Sequence, residues 1–331
     1  MQQARRQVTG FIASLAICAL SVSASGVGAQ APAGYPNKSI RWVVPYAPGG
    51  LPDTVARIVA QRLQERIGQP VVVENRPGAN GAVAAAALSN AAPDGYTFLV
   101  TDGSMFSINP KIYAKLGYDP AKDFIPVAFI ARAPLFLAAV PGLPASNFKD
   151  FIAYVKANPG KLNYGSSGIG STHHLTMEAI KAEYKLDITH VPFKGTGQSV
   201  PALVGGQVEV LWSAYPSLAG FVKDKKVKLL ATNGAKRSEQ APDVPAVAEM
   251  IPGFDFAPIV GILAPAGTPK AIVEKMAAEV VAATKLPETQ KQLIAAGIEP
   301  VGGGSEEYAK AIANENAHMA KAADAAGLKP E

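Results

Sequence analysis

The sequence predicts an α/β protein with two lobes. Apolar runs with strand composition alternate with segments whose apolar residues recur at helical spacing. The same succession of strand, glycine-rich turn and helix begins at Ile40 and again at Leu162. With 331 residues and 48% hydrophobic composition, the chain is long and apolar enough to build two cores. These observations predict two comparable units, each with a glycine-rich turn at the edge of a sheet.

Residues 1–29 are predicted to be a cleaved secretory signal. Arg5 and Arg6 form its basic start, residues 11–20 form its apolar run, and Val27-Gly28-Ala29 precedes the cleavage point. A membrane-spanning helix needs about 20 apolar residues, and this run is shorter. The sequence therefore predicts export to the periplasm and leaves the general and twin-arginine routes as alternatives.

The cysteine content and the charge exclude several classes of protein. Cys18 is the only cysteine and lies inside the predicted signal, after Ile17, where a lipid attachment site has a small residue. Lipidation is therefore disfavoured, and the mature chain would lack disulfides, cysteine nucleophiles and zinc–cysteine sites. The net charge of +5 is small, and the Lys and Arg residues are scattered through the chain, which argues against nucleic-acid binding.

The first unit begins with a strand over residues 40–46. The glycine turn after it leads into a helix, because Val55, Val59 and Leu63 recur at helical spacing and Gly68 ends the pattern. The alternation then continues, with a strand at 71–73, a helix at 82–91 and a strand at 97–101.

The second unit covers residues 162–184, and the turn Gly165–Ser171 lies inside it with Ser171 as a predicted N-cap. The elements predicted before and after this unit are strands at 125–130 and 135–140, a helix at 147–158, and strands at 188–191, 208–212 and 229–232. From Pro269 onward the tail is predicted to be almost wholly helical, with helices at 270–285, 288–296 and 306–325. This alternation predicts mostly parallel sheets.

Both glycine-rich turns are candidate ligand sites. Ligands of open α/β sheets lie beyond the carboxyl ends of the strands, where the free N–H groups of a helix start bind carboxylate or phosphate without a charged side chain. The first candidate set is Pro48, Gly49, Gly50 and Asp53, with a simple tight turn as the alternative. The second set offers several hydroxyl groups around glycines and consists of Ser166, Ser167, Gly168, Ser171, Thr172 and the adjacent His173.

The residues of these turns do not match the sequence motifs for catalysis or cofactor binding. Ile169 stands where a hydrolase elbow needs glycine, the glycines at 165, 168 and 170 have the wrong spacing for dinucleotide binding, and no Gly-Lys-Ser/Thr occurs. No histidine pair has a metal-binding pattern, so neither a metal nor a cofactor is predicted. The rival from another class is an exported hydrolase, with Ser166 or Ser171 as nucleophile and His173, His174 or His190 as base.

A series of motifs resembles one family of receptors. The motifs, in order, are Val44-Pro45-Tyr46-Ala47-Pro48-Gly49-Gly50, Glu74-Asn75-Arg76-Pro77-Gly78, Pro93-Asp94-Gly95-Tyr96-Thr97, Tyr164-Gly165-Ser166-Ser167-Gly168, His190-Val191-Pro192-Phe193-Lys194-Gly195 and Ala264-Pro265-Ala266-Gly267-Thr268-Pro269. This pattern resembles the Bug-type (TctC-like) periplasmic solute-binding receptors of tripartite tricarboxylate transporters. The resemblance covers nearly the whole mature chain.

The resemblance implies a fold, a mechanism and further site residues. The fold is the periplasmic-binding-protein type II-like one, with two α/β lobes, a ligand cleft and two crossing hinge strands. Domain 1 would be discontinuous, over residues 35–132 and 257–331, and domain 2 would span residues 133–256. The lobes would close over a small carboxylate for delivery to membrane transporter subunits. The additional implied ligand contacts are Asp102, Gly103, Ser104, Lys194, Gly195, Thr196, Ser213 and Ala214.

Two departures from the family pattern bear on the solute. Trp212-Ser213 stands where members often have Phe-Asp, and Ile259-Val260 stands where an aromatic residue is usual before the glycine. Loss of the carboxylate at Ser213 would remove a partner for an ammonium group. The resemblance therefore implies a monomeric receptor for a dicarboxylate or an aromatic carboxylate without an amino group, and a sensory partner in place of the transporter stays an alternative.

Overall fold

Two mixed β-sheets organise the protein. The structure is a computed structural model that describes residues 34–46, 48–193 and 195–329, so the predicted signal and Lys194 lie outside the described residues. The strands are β1 (Ile40–Val44), β2 (Val71–Asn75), β3 (Thr97–Asp102), β4 (Phe124–Arg132), β5 (Leu135–Ala139), β6 (Asn163–Ser166), β7 (Thr189–Pro192), β8 (Val210–Ala214), β9 (Lys228–Thr232), β10 (Ile259–Pro265) and β11 (Glu299–Gly303). The helices are α1 (Leu51–Ile67), α2 (Ala82–Ser89), α3 (Ser104–Ser107), α4 (Asn109–Ile112), α5 (Phe148–Ala157), α6 (Thr172–Tyr184), α7 (Thr196–Val204), α8 (Tyr215–Lys223), α9 (Lys270–Thr284), α10 (Pro287–Ala295) and α11 (Ser305–Ala325).

The α/β class is confirmed, but the prediction of mostly parallel sheets is wrong. Sheet 1 has the order β11-β4-β10-β3-β1-β2, and sheet 2 has the order β7-β6-β8-β5-β9. In sheet 1, β10 is antiparallel to both β3 and β4; in sheet 2, β5 is antiparallel to both β8 and β9. The chain passes from one sheet to the other directly before β5 and directly before β10. Each of these two strands therefore runs antiparallel to its neighbours.

The tail also differs from its prediction, because it contains a strand. Residues Glu299–Gly303 form β11, which pairs antiparallel with β4 at the edge of sheet 1. The segment contains one proline and two glycines and carries no strand signal of its own. Pairing with an exposed neighbouring edge, and not local propensity, makes it a strand.

Each sheet is covered by helices on both faces. Trp42 and Val44 of β1 pack in a core with α1 and α9, and Val43 between them packs in a second core with α2 and α11. This alternation is what a strand buried on both faces requires. Sheet 2 packs on α5 and α6 on one face and on α7 and α8 on the other, with Trp212 fully buried.

Asn233 ties together the two chain segments that pass between the sheets. Its Oδ1 accepts from the backbone N–H of Leu135 at 2.7 Å, and its Nδ2 donates to the carbonyl of Phe256 at 2.8 Å. Its backbone N–H also donates to the carbonyl of Leu135 at 3.0 Å. Arg132 and Asp255 form an ion pair across the same crossing. We refer to these paired segments, residues 132–135 and 233 with 255–258, as the crossing.

Helix α11 is shared between the two sheets. Its first half places Tyr308 and Ile312 in a core of sheet 1, and its second half places Met319 and Ala323 in a core of sheet 2. His318, between them, contacts the carbonyl of Asp255 in the crossing at 3.0 Å. None of the described helices is long and apolar enough to span a membrane. The residue boundaries of the two domains stay a prediction.

Candidate functional site

Asp53 holds the first glycine turn (residues 48–50) in place. The residue is 2% exposed, and its carboxylate oxygens accept from the Gly49 N–H at 2.8 Å, the Arg57 Nε at 3.0 Å and the Asn75 Nδ2 at 2.8 Å. Burial alone would raise the pKa of Asp53, but these hydrogen bonds outweigh it and lower the pKa below its usual value. Gly50 is the N-cap residue of helix α1 and provides no side-chain cap, so the first N–H groups of the helix are left without one among the described residues.

An Asp53→Asn variant is expected to lower the free energy of unfolding by about 2 kcal/mol at pH 7, because the amide NH₂ would face groups that are already donors. The pKa of Asp53 is depressed, so its stabilisation is present above the ordinary pKa and is lost as the pH falls through the folded value. Urea unfolding at pH 7 and pH 3 measures both effects, and the difference between variant and wild type should shrink at pH 3. Asp94→Asn is the control, because its ion pair with Lys38 is exposed.

The aspartate turn (residues 102–104) lies beside the first glycine turn. The Tyr46 hydroxyl donates to Asp102 Oδ1 at 3.0 Å, and the Ser104 N–H donates to the same oxygen at 3.1 Å. Burial raises the pKa of Asp102 in spite of these bonds. The carboxylate of Glu315, on α11, lies beneath Gly103, and burial together with the nearby charge of Asp102 raises the pKa of Glu315 well above its usual range.

The serine loop (residues 166–171) follows β6 at the matching edge of sheet 2. Ser166 Oγ lies 2.7 Å from His190 Nε2, and Ser167 Oγ lies 2.8 Å from His173 Nδ1. Ser171 is the N-cap of α6 as predicted, since its Oγ accepts from the His174 N–H at 3.2 Å. Burial lowers the pKa of His173 and of His190 to about 4, so both imidazoles are neutral at pH 7.

Two more helix starts lie next to the serine loop. The Gly195 N–H donates to the Ser167 carbonyl at 3.2 Å, which places the start of α7 against the loop. The N-cap residues of helices α7 and α8 are Gly195 and Ala214, and neither helix has a side-chain cap among the described residues. Ser213, just before α8, is fully buried, and its Oγ has no hydrogen-bond partner among the described residues.

The serine loop meets elements of sheet 1. A Cβ on Gly170 would lie 3.2 Å from Ile112 of α4 and 3.4 Å from Ile108, so only a glycine fits without displacing them. Ile108 is itself part of a core of sheet 2. The first glycine turn and the aspartate turn therefore lie together at one edge of sheet 1. The serine loop lies with the starts of α7 and α8 at an edge of sheet 2. The serine loop also contacts the α3–α4 region of sheet 1.

The supporting roles of several residues in this region were not predicted from the sequence. Tyr46, His190, Glu315 and Asn233 support the turns or the crossing, and each acts on residues more than 20 positions away in the chain. Tyr46 and His190 do lie inside motifs of the family resemblance. Glu315 and Asn233 have no local signal, because each is recognisable only from its burial beside distant backbone.

The geometry does not support a serine nucleophile. Ser166 contacts His190, but it is fully buried and its Oγ already accepts from the Gly168 N–H at 3.1 Å. Among the described residues, no carboxylate is hydrogen-bonded to His190 to orient it, as a catalytic triad requires. The same residues contain no cluster of His, Cys, Asp or Glu arranged to hold a metal ion.

Comparisons with known proteins give a consistent result. The family model described as "Tripartite tricarboxylate transporter family receptor" matches residues 55–328. Protein BugT of Bordetella pertussis is 34% identical over 263 residues, which cover 78% of this chain and 81% of BugT. A protein encoded in the gbd 5' region of Cupriavidus necator is 36% identical over 295 residues, which cover 89% of each chain.

Solved structures agree with these relatives. R. palustris Rpa4515 with adipate superimposes with a TM-score of 0.79 at 34% identity, covering 90% of this chain and 100% of that one. MatC from Rhodopseudomonas palustris with bound malate gives a TM-score of 0.73 at 32% identity, covering 87% and 100%. The periplasmic binding protein BugD gives 0.75 at 30% identity, covering 90% and 100%.

Proposed function

This chain belongs to the tripartite tricarboxylate transporter receptor family of solute-binding proteins, and from that premise we propose that it captures a small dicarboxylate or aromatic carboxylate in the periplasm and delivers it to membrane transporter subunits. Family members are receptors and not enzymes, so capture without turnover is the whole reaction. Two of the most similar solved structures hold adipate and malate, both of which are dicarboxylates.

The observation that carries this proposal is the set of uncapped helix starts. Helices α1, α7 and α8 follow the carboxyl ends of β1, β7 and β8, and their N-cap residues are Gly50, Gly195 and Ala214. The N–H groups of an uncapped helix start and the positive end of its dipole bind an anion. A solute with two carboxylates can use α1 on one sheet and α7 or α8 on the other. Such a solute would bridge the two sheets.

Bridging supports a mechanism in which the lobes close on the solute. Each sheet supplies only part of the donors, so the closed form alone satisfies both carboxylates. We infer that the lobes correspond to residues 35–132 with 257–331 and to residues 133–256, and that the mature chain starts after Ala29. Small-angle scattering should then show a smaller radius of gyration with solute than without it.

Glutarate and adipate are expected to raise the melting temperature, whereas glutamate is not. A solute at about 100 times its Kd stabilises the native state by about 2.7 kcal/mol, which a thermal-shift assay detects as several degrees. Glutarate and glutamate differ only in the ammonium group, and Ser213 offers that group no carboxylate. Adipate and malate, the solutes of the two relatives, complete the panel. Stabilisation by glutamate alone, or consumption of any solute, would contradict the proposal.

A further inference from the structure

Three imidazoles hold the serine loop. His190 Nε2 contacts Ser166 Oγ at 2.7 Å, His173 Nδ1 contacts Ser167 Oγ at 2.8 Å, and the Gly170 N–H donates to His174 Nδ1 at 3.1 Å. No sequence motif predicts this arrangement, because the three hydrogen bonds join residues that are 24, 6 and 4 positions apart. A loop held by so many titratable groups has a shape that depends on their protonation state.

The bond to Gly170 fixes the tautomer of His174. Its Nδ1 accepts a hydrogen bond, so the single proton of the neutral ring is on Nε2, which lies 3.9 Å from Glu178 Oε1. A second proton would have to go onto Nδ1, where it would face the Gly170 N–H. Two donors would then point at each other, and the bond that holds Gly170, at a φ of +74°, would be lost.

His190 is linked to His174 by stacking. The centroids of the two rings lie 4.0 Å apart and the rings are nearly parallel, and the ring of Tyr164 of β6 also stacks on His190, with the centroids 4.8 Å apart. Two positive charges at that separation repel each other, so both rings cannot be charged without moving apart. Movement of His190 would release Ser166 Oγ, which also accepts from the Gly168 N–H.

The surrounding charged groups do not reverse this preference for neutral rings. Burial and, to a smaller extent, the neighbouring His174 together lower the pKa of His190 to about 4. Burial also lowers the pKa of His174. On α6, Glu178 favours the charged form of both rings and Lys181 opposes it, and these two side chains are already paired at 2.7 Å. On β6, the Tyr164 hydroxyl donates to Glu178.

We propose that His174 and His190 are positioning residues that fix the serine loop for solute binding, and that they do so only as neutral imidazoles. The inference rests on the proposed function, because it takes the serine loop as part of the solute site. Solute affinity should be constant near neutral pH and should fall as acid charges the rings, approaching a tenfold loss per pH unit for each proton taken up.

Conservative and apolar variants of His174 and His190 distinguish a role in positioning the serine loop from a role in packing. An Asn side chain places its amide oxygen where the imidazole has Nδ1, and a Gln side chain reaches the position of Nε2. His174→Asn and His190→Gln are therefore expected to bind adipate within about threefold of wild type at pH 7. His174→Leu and His190→Leu keep an apolar side chain without the hydrogen bond, and each should weaken binding about tenfold or more. His318→Asn, on α11 and away from the loop, is the control.

The pH profile gives the decisive readout. Calorimetric titration with adipate from pH 7 to pH 4 should show a steeper loss of affinity for wild type and His318→Asn than for the double variant His174→Asn/His190→Gln. Adipate itself takes up protons in this range, but that effect is common to all the proteins and cancels in the comparison. Equal profiles for wild type and the double variant, or unchanged binding by the leucine variants, would overturn the inference while leaving the proposed function intact.

The amide of Gly170 provides a test without any solute. In NMR spectra of the solute-free protein, its shift and exchange protection should follow the titration of His174 in wild type and stay constant in His174→Asn. If none of glutarate, adipate and malate binds at any pH while the Gly170 amide follows the titration of His174, the dicarboxylate part of the proposed function fails and the control of the loop stands. If the shift and the exchange protection of the Gly170 amide do not change as His174 titrates, the inference is overturned, whether or not a solute binds.

Discussion

A Gly103→Ala variant is expected to lose about 3 kcal/mol or more of unfolding free energy, together with most of its solute affinity. A Cβ at Gly103 would lie 1.2 Å from Glu315 Oε2 and 2.3 Å from Glu315 Cδ. Glu315 is 8% exposed and sits on α11, so its carboxylate has little room to swing away. The aspartate turn would have to move instead, which would break the hydrogen bonds that join Asp102 to Tyr46 and Ser104.

The carboxylate of Glu315 can be removed to test this cause. Gly103→Ala/Glu315→Ala should recover most of the lost stability, because the second substitution vacates the space that the new methyl group needs. Gly142→Ala is the matched control, since a Cβ there meets nothing within 4 Å. Urea unfolding and the melting temperature measure the effect. If the double variant is as unstable as Gly103→Ala alone, the contact with Glu315 is not the reason for the glycine.

An Asn233→Ala variant is expected to lose about 2–4 kcal/mol of unfolding free energy. The side chain is fully buried, and its removal leaves the Leu135 N–H without its 2.7 Å partner and the Phe256 carbonyl without its 2.8 Å partner. Each buried polar group left without a partner costs about 1–3 kcal/mol. Because the two groups lie on the two segments of the crossing, the variant should also loosen the relative orientation of the two sheets.

Two comparisons sharpen that prediction. Asn233→Asp keeps an oxygen for Leu135 but turns a carboxylate oxygen toward the Phe256 carbonyl, so it should also be destabilised. Asn90→Ala removes an exposed asparagine that caps α2 and should cost less than 1 kcal/mol. Chemical unfolding measures the stability, and scattering measures the orientation. An Asn233→Ala protein that unfolds within 0.5 kcal/mol of wild type would show that ordered water satisfies both groups.

Local signals predicted the elements of the fold but not all of their pairings. The apolar runs that begin at Ile40, Val71 and Thr97 form strands, as their own composition predicts. The direction of β10 depends instead on where the chain crosses between the sheets, which no local pattern records. Residues 196–204 and 215–223 were not predicted as helices, since Gly197, Pro201 and Pro216 look locally like loop residues.

The sequence predicted where the candidate site lies in the fold but not how its side chains are arranged. Glycine-rich turns after strands identified the first glycine turn and the serine loop, since sheet geometry alone puts such turns at a ligand-binding edge. Which way a side chain points is a tertiary property. Asp53 and Ser166 were chosen as ligand contacts for their chemistry, yet in the structure their oxygens are hydrogen-bonded within the chain. Their assignment as direct ligand contacts stays a prediction, as does that of the remaining turn residues.

The position of β10 sets the order in which the protein can fold during synthesis. β10 lies between β3 and β4, so the centre of sheet 1 is missing until residue 265 has left the ribosome. The strands of sheet 2 end at Thr232, so the middle of the chain can acquire its complete sheet before the beginning can. The first part to be translated is therefore the last to fold. In a chain predicted to be exported, the amino-terminal sheet therefore stays incomplete until most of the chain has been translated.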